Sequence, residues 1–195
     1  MLDWASAVRP FPGEHACGDA LFVDSFPGGT LVALIDGLGH GPEAASAAGA
    51  AVAALALSSS DPVGLLLERC HLALSRTRGA AISLLSLREG VLSWVGVGNV
   101  EAVLLRGGAT ENSRVEHLLL VGGIVGQKLP RLQVRSVTVA AGDLLAAASD
   151  GVRPDFGSRI DRHASPFDSS RAILEESDVE DDLLVWLGRI KVPSP

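Results

Sequence analysis

Short apolar runs, separated by glycine-rich or polar turns, recur along most of this chain. Continuous or alternating apolar runs of this length, bounded by turn residues, are typical of buried strands. The three runs between residues 80 and 105 follow one another closely enough to predict an antiparallel meander. The predicted strands cover residues 3–9, 20–23, 31–35, 80–87, 91–97, 100–105, 115–120, 132–139, 144–149 and 183–190.

Helical patterns occupy the interval between the third and fourth of these strands. An alanine-rich helix is predicted over residues 43–57, with Pro42 well suited to its first position. A second helix should follow Asp61, which we expect to cap it, with Pro62 at the first helical position. Further predictions are a loop over residues 107–112, a loop with a short helix over residues 153–168, and a helix over residues 169–176.

The predicted strand at residues 31–35 ends at Asp36 and opens into a glycine-rich turn. Glycines 37, 39 and 41 allow the backbone to turn sharply and approach a ligand before the helix begins. Free amides at a helix start favour phosphate, yet a fixed carboxylate there would repel it unless a cation lay between them. The stretch therefore indicates a metal site that receives phosphate. An ordinary tight turn with Asp36 as a turn residue is the alternative.

Further carboxylates occupy the ends of other predicted strands. A hairpin turn at Gly28-Gly29 would place Asp19 opposite Asp36 on adjacent antiparallel strands. Asp150 follows the predicted strand at residues 144–149, and Asp181 and Asp182 precede the last strand. Carboxylate oxygens suit magnesium or manganese, and no cluster of histidine and cysteine competes for a softer metal.

Size and charge restrict the class of protein. A chain of 195 residues predicts one domain over residues 1–195, and its net charge of -7 argues against nucleic-acid or anionic-membrane partners. The apolar segment 44–57 is too short for a membrane span. Residues 1–12 carry no run of signal-peptide type, and Cys17 and Cys70 are not in a C-x-x-C pair. These features predict a cytoplasmic protein with reduced thiols.

In its motifs the chain resembles the PPM (type 2C) metal-dependent serine/threonine protein phosphatases, in their compact SpoIIE-like bacterial branch and especially its small stressosome phosphatases. The motifs follow the family's order over almost the whole chain, and the set is more specific than any one motif. They are Gly18-Asp19, Asp36-Gly37-Leu38-Gly39-His40-Gly41, Gly98-Asn99, Ser149-Asp150-Gly151 and Asp181-Asp182.

The resemblance implies an α+β fold, a four-layer α-β-β-α sandwich of two stacked, mostly antiparallel sheets flanked by helices. It also implies two divalent ions, Mn²⁺ or Mg²⁺, at one end of the sheets. Carried over to this sequence, Asp36 would bridge both ions and the Gly37 carbonyl would bind one of them. Asp150 and Asp181 would hold the other ion, with Asp182 as the alternative to Asp181, because neighbouring residues on a strand face opposite ways.

The same resemblance implies roles at the catalytic step. Asp19 would ligate through water or orient the nucleophile for in-line hydrolysis, without a covalent phosphoenzyme. His40 is a candidate for phosphate contact, with a satisfied turn histidine as the alternative, and Arg153 is a candidate phosphate contact or a plain surface arginine. The implied partners are phosphorylated regulatory proteins, such as RsbS- and RsbR-like STAS proteins of a stressosome. A monomer is compatible with the sequence.

Three other functions are alternatives to a phosphatase of this class. A dinucleotide site is disfavoured because the glycine spacing is G-x-G-x-G and a helix, not a strand, precedes Asp61. Cys70 and Arg76 have the spacing of a thiol phosphatase, but the intervening residues lack glycine and lie within an amphipathic helix. A catalytically silent PPM-like module that binds a regulatory partner stays open, since fold does not fix function.

Overall fold

The computed structural model describes residues 2–107, 115–177 and 181–191, and the elements below belong to those ranges. The predicted loop at 107–112 lies almost entirely outside them. The strands are β1 Leu2–Arg9, β2 Asp19–Phe26, β3 Gly29–Gly37, β4 Ala80–Arg88, β5 Val91–Val97, β6 Glu101–Leu105, β7 Glu116–His117, β8 Arg135–Thr138, β9 Leu144–Ala148 and β10 Leu183–Ile190. The helices are α1 Gly41–Ala56, α2 Val63–Ala73, α3 Phe156–Arg159 and α4 Pro166–Glu176.

The strands form two sheets, and the paired strands within each sheet are antiparallel. One sheet has the order β1-β10-β9-β6-β7, and the other has the order β2-β3-β4-β5-β8. The central strands β3, β4, β9 and β10 are apolar and buried along almost their whole length, so both faces of each sheet need a covering layer. The predicted α+β fold of two stacked antiparallel sheets is confirmed.

Three apolar cores separate four layers. The first lies between α1, α2 and the β2-β3-β4 sheet and includes Ile35 and Leu66. The second lies between the sheets, where the buried Trp186 meets Leu34. The third lies between the β10-β9-β6 sheet and the C-terminal helices and includes Phe156. The order of layers is therefore α-β-β-α, as the resemblance implies.

The predicted meander is wrong at its third strand. β4 and β5 pair as a hairpin, but β6 pairs with β7 and β9 in the other sheet. Gly98, at a φ of +102°, lies between β5 and β6 where the chain changes sheets. A side chain is strained at that φ, and a Cβ there would press on Ala81, so glycine permits the crossing.

Several predicted boundaries shift in the structure. Asp61 does not cap α2: the N-cap is Pro62 without a side-chain bond, and Asp61 pairs with Arg69 at 2.6 Å. α4 begins at Pro166, earlier than predicted, because the Ser165 hydroxyl accepts a hydrogen bond from the Asp168 amide and caps it. β7 and β8 are shorter than the apolar runs that predicted them. Within the described residues, no helix has both the length and the hydropathy that crossing a bilayer requires.

Candidate metal centre

The first two carboxylates of the candidate site are set by the register of one hairpin. β2 and β3 pair antiparallel with Asp19 directly opposite Asp36, which confirms their predicted alignment. Asp19 is only 6% exposed and Asp36 is partly buried. Two acidic side chains therefore meet at the end of this sheet, in a place where water solvates them poorly.

The other carboxylates come from the neighbouring ends of β9 and β10. Asp150 follows β9, and Asp181 and Asp182 precede β10. The Ser149 amide donates to the Leu184 carbonyl at 3.0 Å, so these two strand ends are held side by side. The amide of Gly18, next to Asp19, donates to Asp182 at 2.9 Å, so the acidic ends of the two sheets lie at the same end of the sandwich.

The pKa of Asp19 responds to its burial and to the other carboxylates at this end of the sandwich. Burial, which is the largest cause, and the charges of Asp182, Asp150 and Asp181 together raise this pKa to about 7. The Ser149 hydroxyl lies close enough to oppose part of that shift, but its hydrogen bonds are with the backbone of Leu184. Among the described residues, neither carboxylate oxygen of Asp19 has a hydrogen-bond partner.

Asp36 is affected in the same way. Burial is the main cause that raises its pKa to about 8, followed by the negative charges of Asp19, Asp150 and Asp181 and by hydrogen bonding with Asp150. These shifts show that side chains from both sheets share one electrostatic environment. A bound cation would reverse the repulsion among them.

We expect the metal-free protein to gain stability as the pH falls from about 8 to 5. The folded state holds protons on Asp36 and Asp19 up to about pH 8 and 7, whereas in the unfolded chain both carboxyls release them near pH 4. Their contribution is therefore complete below about pH 4 and is lost as the pH rises through the folded-state values. Thermal unfolding in the presence of a chelator, measured across this range, checks the trend.

Asp36→Asn is the matched variant for this experiment, because it removes one of the two titrations and keeps the side-chain shape. Its unfolding temperature should depend less on pH between 5 and 8 than that of the wild type. An equal pH dependence in the two proteins would contradict the assignment of the shift to Asp36.

Asp181 and Asp182 are separated by their hydrogen bonds. Asp182 is buried, and its two oxygens accept from the amides of Phe11 at 2.8 Å and Gly18 at 2.9 Å. Its carboxylate therefore fastens the segment between β1 and β2 to the start of β10. Asp181 is more exposed, accepts only the Asp182 amide among the hydrogen bonds described, and raises the pKa of Asp36 by its charge.

Glycines allow these segments to approach one another. A Cβ on Gly18 would lie 2.7 Å from an Asp182 oxygen and 2.8 Å from the Ala44 Cβ. A Cβ on Gly37 would overlap the Ala44 carbonyl, and one on Gly151 would overlap the Asp182 carbonyl. The candidate site is thus packed backbone to backbone, which only glycine permits here.

Gly37→Ala should lower the free energy of unfolding by about 1–3 kcal/mol, the usual cost of an overpacked buried site. The matched control is Gly49→Ala on the exposed face of α1, where a Cβ meets nothing within 4 Å. That control should stabilise the protein by up to about 1 kcal/mol, since alanine favours a helix interior. Chemical denaturation measures both, and equal effects would contradict the packing described.

The two candidate phosphate contacts lie at the margin of this end. The His40 ring stacks on Phe11 with centroids 4.1 Å apart, and its Nδ1 is 3.2 Å from a Glu14 oxygen. Arg153 is half exposed, and its Nε lies 3.3 Å from an Asp155 oxygen. Each side chain therefore already has a protein partner, and their contact with phosphate remains a prediction.

Sequence reasoning gave no role to two polar residues that the structure places here. Asn99, between β5 and β6, donates from Nδ2 to Asp150 at 2.5 Å and so fixes one of its oxygens. Arg78 pairs with Glu43, and its guanidinium lies against the backbone of Gly39. The motif Gly98-Asn99 gave a signal for the first residue, whereas no local pattern marks the second.

The candidate site offers carboxylate oxygens as ligands for a divalent ion. Among the described residues, no three His, Cys, Asp or Glu side chains form a ready-made metal-binding group. The two buried oxygens of Asp19, which have no hydrogen-bond partner within those residues, and the raised pKa of Asp36 nevertheless show carboxyl groups whose charged form the protein itself stabilises poorly. Carboxylates of this kind suit a hard ion such as Mg²⁺ or Mn²⁺.

The fold and the acidic end define a class of protein. Two packed antiparallel sheets flanked by helices are the architecture of PP2C-type phosphatase domains, and the SpoIIE phosphatase domain from Bacillus subtilis superposes with a TM-score of 0.82 at 20% identity. It covers all of this chain and 63% of that one. A family model described as stage II sporulation protein E (SpoIIE) matches residues 27–183. The chain belongs to the SpoIIE family.

Individual relatives agree with that assignment. Phosphoserine phosphatase RsbX of Bacillus subtilis (strain 168) is 25% identical, over 91% of this chain and 89% of RsbX. A crystal structure of RsbX in complex with magnesium superposes with a TM-score of 0.85 at 23% identity, covering 96% of this chain and 94% of that one. A structure from work on the bacterial stressosome superposes with a TM-score of 0.87 at 29% identity, covering 97% and 100%.

A further structure shares this fold. The catalytic domain of the serine/threonine protein phosphatase PstP in complex with two manganese ions superposes with a TM-score of 0.76 at 17% identity. It covers 98% of this chain and 99% of that one. At this identity the comparison establishes a shared fold.

Proposed function

We propose that residues 1–195 act as a metal-dependent protein phosphatase that hydrolyses phosphoserine or phosphothreonine in regulatory proteins. One observation carries the proposal: carboxylates from both sheets share one end of the sandwich, and the buried Asp19 and the partly buried Asp36 both have raised pKa values. Membership of the SpoIIE family and similarity to RsbX along most of the chain support the same activity.

Each carboxylate has a role in this proposal. Asp36 would bridge two divalent ions, and Asp150 and Asp181 would hold one of them. The Gly37 carbonyl would bind the other, and Asp19 would orient the attacking water. Divalent ions, when bound, would neutralise charge on the phosphoryl group and lower the pKa of water towards neutrality.

Asn99 and Asp182 would hold other groups of the site in place. Asn99 donates to one Asp150 oxygen, and the other oxygen would bind the ion. Asp182 is assigned a structural role in place of a ligand role, because both of its oxygens accept backbone amides. Hydrolysis then needs an in-line geometry of water and leaving group, which a rigid, glycine-packed site supplies.

The cofactor, partners and location complete the proposal. Mg²⁺ and Mn²⁺ are both compatible with an all-oxygen donor set. The partners would be phosphorylated STAS-type proteins of a stressosome, which is supported by the similarity to RsbX and to the stressosome structure. We place the activity in the cytoplasm, in agreement with two free cysteines, Cys17 and Cys70.

The test is phosphate release by the purified chain. Phosphoserine and phosphothreonine peptides, and a phosphorylated STAS protein, are offered with Mn²⁺, with Mg²⁺ and with a chelator. We expect release with either ion and none with the chelator. No metal-dependent release from any of these substrates would contradict the proposal and leave a silent binding module as the better account.

A further inference from the structure

A cavity of about 300 Å³ opens beside Asp150 on the outer face of the β6-β9 sheet. Its polar edge is formed by Asn99, Glu101 and Asp150. The volume lies at the lower end of the range for small-ligand pockets, which is enough for one side chain of a bound peptide. The cavity shares Asn99 and Asp150 with the candidate metal centre and extends from it towards Glu101.

Glu101 is the distinctive group in this cavity. It lies at the start of β6, paired in register with Ala148 at the end of β9. Its Oε2 is buried and, within the part of the chain that the structure describes, has no hydrogen-bond partner. Arg153, the arginine in the segment that follows Asp150, is paired with Asp155. A buried carboxylate oxygen without a partner is costly, so its position calls for a ligand that donates hydrogen bonds.

The rest of the cavity wall is apolar. Leu120, Val152, Pro154 and Phe156 line it. Lysine and arginine have aliphatic stems that pack on apolar surface and charged ends that seek a carboxylate. A cavity with carboxylates at its edge and apolar side chains along its wall matches both parts of such a side chain.

We propose that this cavity binds a basic side chain of the phosphoprotein, close to its phosphorylated residue, and that Glu101 determines this specificity. The inference deepens the proposed function and rests on it. A basic ligand also agrees with the net charge of -7 on the chain. A further metal ion is a poorer occupant, because a hard cation needs about six oxygen donors and most of this wall offers none.

The experiment compares phosphoserine peptides that differ in one residue. Each peptide carries a single lysine in an alanine background, placed in turn at each position near the phosphoserine. We expect lysine at one position to raise kcat/KM about tenfold for the wild type, mainly through KM, which is within the range for one pocket contact. Glu101→Gln keeps the side-chain shape and should bring the ratio between lysine and alanine peptides close to one.

The matched control is Glu68→Gln, the same chemical change at an exposed residue of α2, on the opposite side of the molecule. That variant should keep the preference of the wild type. A wild type without preference for lysine at any position would overturn the inference, and so would a preference that survives in Glu101→Gln. Circular dichroism of both variants establishes that they are folded.

Two further readouts separate this inference from the proposed function. Hydrolysis of p-nitrophenyl phosphate by the wild type tests the phosphatase activity alone. Binding of the same peptide pairs, measured by calorimetry, tests the cavity alone. Tighter binding of the lysine peptide that depends on Glu101, in a chain without hydrolysis, would support the cavity and contradict the phosphatase. Hydrolysis without any preference for lysine peptides, in rate or in binding, would support the phosphatase and contradict the role of the cavity.

Discussion

Asp36→Asn should lower kcat/KM for a phosphoserine peptide by at least about 100-fold. Substitutions in groups that only orient metal ligands cost about 10–100-fold, and Asp36 is assigned to hold both ions directly. The fold should survive, because burial already disfavours the charged form of Asp36 in the metal-free protein. At pH 8 the metal-free variant should therefore unfold at the same temperature as the wild type or a higher one.

The control is Asp3→Asn, the same chemical change at the end of β1 that lies away from the candidate site. Asp3 forms an exposed ion pair with Lys191. The variant should keep activity and cost little stability, as surface ion pairs do. Turnover by Asp36→Asn at the level of this control would contradict the bridging role. A collapse of its fold would contradict the assignment of Asp36 as a functional residue.

The second large effect separates two adjacent residues. Asp182→Asn should lower the free energy of unfolding by about 2–3 kcal/mol, because an amide cannot accept from both Phe11 and Gly18 as a carboxylate does. In a chain of this size that corresponds to a fall of roughly 5–10 °C in Tm. Asp181→Asn should keep its stability and lose affinity for Mn²⁺ and activity.

The pair of variants serves as its own control, because the substitution is the same and the positions are neighbours. Thermal unfolding with a chelator measures stability, and Mn²⁺ dependence of phosphate release measures ligation. The opposite pattern, with stability lost in Asp181→Asn and metal affinity lost in Asp182→Asn, would exchange the two roles.

Parts of this site follow from local sequence. The turn at Gly28-Gly29 fixes the register of β2 against β3, so the alignment of Asp19 with Asp36 could be predicted without a structure. The turn formed by the glycines after Asp36 and the start of α1 near Pro42 could also be predicted from the sequence. The motif order also predicted the four-layer fold, because it resembles a family with that fold.

Other parts depend on contacts between distant residues. The change of sheet at Gly98 could not be predicted from the local sequence. β5 and β6 are both short apolar runs, and such a run does not indicate which of the two sheets the strand joins. The roles of Asp181 and Asp182 differ because amides from Phe11 and Gly18, far away in sequence, reach only one of them. The cavity beside Glu101 forms only when the segments around Asn99 and Asp150 meet.

Calorimetric titration of Mn²⁺ into the metal-free chain tests the central claim most directly, namely that acidic side chains from both sheets bind the same cations. We predict about two ions per chain for the wild type and for Asp3→Asn, and the loss of at least one ion in Asp36→Asn. Equal stoichiometry and affinity in all three proteins would contradict the claim.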